Sequence, residues 1–109
     1  MGNEKVLNTD VNRQVVNHRL NFMFKKISVS KMSLVYWLTL PEFEAEMLAK
    51  LDNKEAIDDR VVCESMKRIY AKWERLRDNS NEKPDFNYSL ARRGINQIEK
   101  SISDNKQEN

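Results

Sequence analysis

Acidic side chains stand four apart at Glu42 and Glu46 and side by side at Asp58 and Asp59, spacings that could supply a general acid and a general base. Neither pair has a nucleophile, a metal-ligand set or an oxyanion donor beside it, so the expected role is a solvated helix face. His18, next to Arg19 in a helix-prone stretch, reads as a surface or boundary histidine rather than a catalytic base. Cys63 has no histidine within reach along its own helix and reads as a small buried hydrophobe. One cysteine and one histidine in 109 residues exclude a Cys/His zinc site by count, and exclude a disulfide within the chain. The only glycines, Gly2 and Gly94, cannot build a GxGxxG or GxxxxGK[ST] phosphate loop. The expectation is a protein that is not an enzyme and that needs neither metal nor cofactor.

Cations are the other chemistry-bearing set. Residues 1–37 hold six positive and two negative side chains, residues 38–64 three and eight, residues 65–78 five and two, and residues 79–109 five of each. The net charge of +2 therefore hides two basic blocks around an acidic one. Such a layout suits a polyanionic partner, and it also suits a small helical protein that segregates charge for solubility. Within 65–78, Met66, Ile69, Tyr70, Trp73 and Leu76 share one helical face, and Lys67, Arg68, Lys72, Arg75 and Arg77 mostly occupy the rest. Laid in a major groove, such a helix can reach phosphates and guanine edges. The same pattern serves a helix docked on its own core, or a partner-binding helix.

The elements that would position these residues can be read from periodicity. A chain of this length, 39% hydrophobic, has room for one domain. No apolar run is long enough to span a bilayer and the N-terminus carries no hydrophobic signal region, so the expected location is cytoplasmic. Residues 1–10 and 103–109 are polar and expected to be flexible, leaving 11–102 as the domain. Asp10 is placed to cap a helix to Ile27, with Val16, Leu20, Met23, Phe24 and Ile27 as its stripe. Met32 to Leu38 is ambiguous between a strand and a short helix capped by Ser30. Thr39-Leu40-Pro41-Glu42 reads as a capping box with a Leu38/Phe43 staple, opening a helix that ends near Asp52-Asn53. Lys54 to Arg77 reads as helix, in one or two pieces divided near Cys63 to Ser65. Asp78 to Asp85 reads as a loop. Phe86 to Leu90 alternates like a short strand, while Ser89 could cap a last helix carrying Ala91, Ile95, Ile98 and Ile102.

Two family resemblances follow from these residues. Leu38-Thr39-Leu40-Pro41-Glu42-Phe43 is similar to the L-T-x-x-E-F that opens the first helix of OmpR-type winged-helix regulators. Asp58-Asp59-Arg60-Val61-Val62 with Met66-Lys67-Arg68-Ile69 and Lys72 resembles that family's D-D-R-x-V…I-x-R-L-x-x-K recognition helix. Tyr88-Ser89-Leu90, Gly94 and Ile98 resemble the Y-x-L-T-x-x-G-x-x-x-I ending of other winged-helix regulators, with Ala91 in place of Thr. Separately, Ile27 to Leu38 is similar to the L-G-V-S-x-x-x-V-x-x-W-L of phage-repressor helix-turn-helix proteins, in which Lys31, Ser33 and Tyr36 would face the groove.

The resemblances imply a mostly α, small winged-helix or helix-turn-helix domain with an extra N-terminal helix and at most a short β-hairpin. The implied function is a sequence-specific, double-stranded-DNA-binding transcriptional regulator, dimeric so as to read two half-sites, with residues 11–27 as the candidate dimerisation helix. Lys67, Arg68 and Lys72 would enter the groove, Arg75 and Arg77 would hold phosphates, and Arg92 and Arg93 would make wing-side contacts. Lys31 and Ser33 belong to the second resemblance. The alternative is a helical adaptor or inhibitor, of phage or plasmid type, that binds a host protein through Tyr36, Trp37 or the Trp73 face. A protruding basic helix beside a hairpin would favour DNA; a flat bundle with exposed aromatics would favour a protein partner.

Overall fold

The computed structural model describes residues 2–27, 29–79 and 85–107, with side chains described for 11–27, 29–79 and 85–104. Five helices follow one another: α1 (Gly2–Lys26), α2 (Lys31–Thr39), α3 (Pro41–Asp52), α4 (Asp59–Asn79) and α5 (Tyr88–Gln107). α4 packs chiefly on α5 and α3, α2 on α5 and α3, and α1 closes the bundle against α3 and α2. One core joins them, with Leu20 and Phe24 of α1, Trp37 of α2, Phe43 and Met47 of α3, Met66 of α4 and Ile98 of α5 all fully buried. The fold is all-helical among the described residues, in keeping with the mostly-α expectation.

Three helix starts are capped by a side chain. Ser30 is the N-cap of α2, its Oγ accepting from the Ser33 N–H at 3.1 Å, which resolves Met32 to Leu38 as helix rather than strand. Asp58 caps α4 in the same way through the Val61 N–H at 2.9 Å, and Asn87 caps α5 through the Leu90 N–H at 3.0 Å. α3 ends in a Schellman turn: Glu55 N–H donates to the Lys50 carbonyl at 2.8 Å and Lys54 N–H to that of Leu51 at 3.1 Å. Lys54 takes the left-handed conformation this turn needs, with φ of 58°.

Several expectations are corrected. The capping box does not form. Thr39 closes the last turn of α2, its Oγ1 donating back to the Tyr36 carbonyl at 2.7 Å, so Leu40 is at once the C-cap of α2 and the N-cap of α3. Pro41 still occupies the first turn, where its missing N–H costs nothing. α1 starts at Gly2, ahead of Asp10, and α5 continues to Gln107. α4 is one unbroken helix through Cys63 to Ser65. Phe86 to Leu90 is not a strand: Phe86 plugs into an aromatic cluster, stacked on Trp73 with centroids 5.1 Å apart and met edge-on by Tyr36, Tyr70 and Tyr88. With Phe86 held there and Asn87 spent on the cap, the chain enters α5 at once. Most of the Asp78 to Asp85 loop lies outside the described residues.

Gly94 has a packing reason. A Cβ there would come within 3.0 Å of the Trp37 Nε1 and 3.3 Å of the Met66 Cε. Its absence lets α5 lie against the buried indole, whose N–H donates to the Ala91 carbonyl at 3.1 Å.

Candidate interaction surface

Of the five α4 cations expected to face DNA, all but Arg75 lie within ion-pair distance of a carboxylate. Arg68 reaches Glu46 at 2.7 Å and Lys72 reaches Glu42 at 2.7 Å, both across to α3, while Lys67 reaches Glu99 on α5 at 3.3 Å. Hydrogen bonding to Glu99, together with its charge, holds the Lys67 ammonium above its usual range. Arg77 lies near Glu74 and Asp78 and covers the Tyr88 ring at 4.7 Å from its centroid. Arg92 covers Tyr70 at 5.4 Å. Arg75 and Arg93 are exposed and form no ion pair with the described residues. The acidic block of the sequence thus folds onto the basic one, with Glu42 also accepting from the Trp73 indole N–H and Glu46 from the Ser65 hydroxyl.

The helix-turn-helix residues divide. Lys31 is exposed, but Ser33 is buried, which corrects the expectation that it faces outward. Its hydroxyl accepts from the Ser30 hydroxyl at 3.2 Å, and Ser30 is itself tied to α5 by its N–H donating to Gln97 Oε1 at 2.8 Å. Tyr36 is half-buried and accepts the Asn87 N–H at 2.6 Å. Of the aromatics proposed for a protein partner, Trp37 is wholly buried and Trp73 half-buried. Cys63 is buried, and burial pushes its thiol up to about 11, with the Glu99 charge adding to the rise. Among the described residues no group of three or more His, Cys, Asp or Glu could hold a metal, and no helix is long and apolar enough to cross a membrane.

A different surface stands out. Phe22 on α1 is 67% exposed, and Met32 and Val35 on α2 are 66% and 49% exposed. Phe22 lies off the stripe that α1 buries, and α2 is so nearly apolar all round that packing Leu34 and Trp37 leaves Met32 and Val35 outside. Two hollows meet at Lys31. One, of about 470 Å³, has Phe22, Val29, Leu34 and Lys25 in its walls; the other, of about 460 Å³, has Met32, Val35, Tyr36 and Leu90. A third opens beyond His18 and Phe22 toward Met23 and Ile57, beside Arg19. Among the described residues no carboxylate lines any of the three. The cause is in the sequence: from Val11 to Pro41 there is no Asp or Glu. Arg13 alone in that run finds an acid among the described residues, Glu44 at 2.9 Å.

Phe22, Lys25, Met32 and Val35 were not singled out from the sequence. The acid-free run was visible there, and so was the misfit of Phe22 to the α1 stripe. No protein-family model, no curated protein and no solved structure shows significant similarity to this chain.

Proposed function

We propose that this protein is a small helical interaction module, an adaptor or inhibitor without catalytic activity, that binds another protein through the α1–α2 face. The observation that carries the reading is the group of exposed apolar side chains, Phe22, Met32 and Val35, set among cations with no carboxylate between them. A contiguous exposed apolar patch rimmed by polar groups is a mark of a partner site. The bundle is also flat, 46 × 44 × 23 Å, and α4 lies along α3 and α5 instead of protruding. A cytoplasmic setting fits a single, buried thiol. The test is affinity capture with the intact chain, followed by crosslinking. One stoichiometric protein, retained after nuclease treatment and by the Lys67→Ala, Arg68→Ala, Lys72→Ala variant, supports the reading; retention of nucleic acid alone overturns it.

The acid-free run favours a second reading, a duplex-DNA-binding regulator, with Arg19, Lys25, Lys26 and Lys31 on phosphates and Arg75, Arg92 and Arg93 adding to them. The winged-helix or helix-turn-helix assignment and a homodimer belong to this second reading. α1 already spends Val16, Leu20 and Phe24 on the core, so a dimer would have to use another face of that helix. Anisotropy with a labelled duplex at about 50 mM salt decides, because phosphate contacts give binding that weakens steeply as salt rises.

A further inference from the structure

The geometry points to an acidic amphipathic helix of a partner protein as the occupant of the α1–α2 trough, and we infer that Phe22, Met32 and Val35 are its apolar contacts and Lys25 and Lys31 its charge contacts. The inference rests on the protein-interaction reading above and names the partner's chemistry. Lys31 lines both larger hollows, one between α1 and α2 and the other between α2 and α5, and Phe22 lines both of those on the α1 side, so the three adjoin one another along one face. Helix-in-groove recognition needs an apolar floor, into which side chains spaced i, i+3 or i+4, and i+7 are set. An added strand has nowhere to pair, since no sheet edge exists among the described residues.

Charge then selects the partner. With Lys25, Lys31 and Arg19 the charged groups around the floor among the described residues, a helix whose flanks carry Asp and Glu is complementary, and one carrying Lys and Arg is repelled. A second copy of this chain meeting the same face about a two-fold axis would set one cationic face against another. Duplex DNA would satisfy the cations, yet it would leave Phe22 and Met32, each about two-thirds exposed, against phosphates.

The probe is a displayed library of 20-residue helical peptides, selected against the intact chain, with the enriched peptides then synthesised and titrated by anisotropy. The expected outcome is enrichment of net-acidic sequences with a helical apolar stripe. Phe22→Asp and Val35→Asp should each weaken binding at least tenfold with an unchanged circular-dichroism spectrum and melting point. Lys25→Glu with Lys31→Glu should weaken the acidic peptides and admit their Lys-substituted counterparts. Enrichment of basic or uncharged sequences, no enrichment at all, or binding indifferent to Phe22→Asp would overturn the inference. If a stoichiometric protein is still captured by Phe22→Asp as well as by the unaltered chain, the interaction reading stands and the trough is not its site. If neither peptide nor protein binds, both fall.

Discussion

At the scale of single residues, two contacts carry more than their size suggests. Gly94 sits where α5 crosses the Trp37 indole, and Phe43 packs edge-on against that ring with centroids 5.3 Å apart. Alanine is the better helix former by about 1 kcal/mol, but an added methyl would press on a fully buried ring. Gly94→Ala should therefore lower stability by about 1 kcal/mol net, read as a fall in urea midpoint at constant m-value. Were it to raise the midpoint, the close approach would not be a constraint. Cys63 makes a second case. Its thiol titrates at about 11 in the fold against an ordinary 9.0, so the unfolded chain gives up this proton first. The stabilising contribution is fully present below about pH 9 and is lost as pH rises from there through about 11. Stability measured across that range should decline less steeply in Cys63→Ala than in the unaltered chain. Equal slopes would mean the thiol is not desolvated by folding.

At the scale of elements, α3 and α4 form the unit that changes how the charges read. Glu42 and Glu46 lie one turn apart on α3 and meet Lys72 and Arg68, one turn apart on α4. Each partly exposed pair is worth little to stability, on the order of 0.5 kcal/mol, but together they cancel most of the field a recognition helix would need. Replacing both with glutamine should leave the melting point within a few degrees and raise non-specific duplex affinity several-fold at low salt. If duplex binding is unchanged, the α4 cations are not masked by α3. The one-dimensional charge count could not foresee this, because the acidic and basic blocks meet only through the α3–α4 packing. Other elements were plain. The Val16–Leu20–Phe24 stripe, the Ala91–Ile95–Ile98 stripe and the break at Asp52-Asn53 all follow from period and turn chemistry. Thr39 reads either way because one extended residue separates α2 from α3: a threonine ending one helix can bond backward as readily as it caps the next. Phe86 to Leu90 alternates as a strand would, yet tertiary contacts with Trp73 and Tyr70 decide its form.

At the scale of the whole molecule, the chain is more open than its length requires. The radius of gyration is 15.2 Å where a compact chain of this length has about 13 Å. The accessible surface is 7750 Å², against about 6,300 Å² for a typical monomer of this mass. The single core nevertheless predicts one cooperative transition. Trp37 reports on the junction of α2, α3 and α5, and Trp73 on the cluster that receives Phe86. The variants Trp37→Phe and Trp73→Phe, each leaving one indole as probe, should show fluorescence and circular-dichroism midpoints that coincide within each variant. Separated midpoints would divide the bundle into two units.

The single extended residue at Leu40 has a bearing on how the chain can be cut. A protease must draw a run of backbone across its active site in extended form, and at Leu40 that would unwind two helices at once. Between α1 and α2 it would have to pull Val29 from the core. Among the described joints, only the stretch after α3 lies exposed, with Lys54 at its head. Brief trypsin treatment should nick there, yielding a three-helix and a two-helix fragment whose ability to stay together without a covalent link would measure how much of the fold is held by side chains alone.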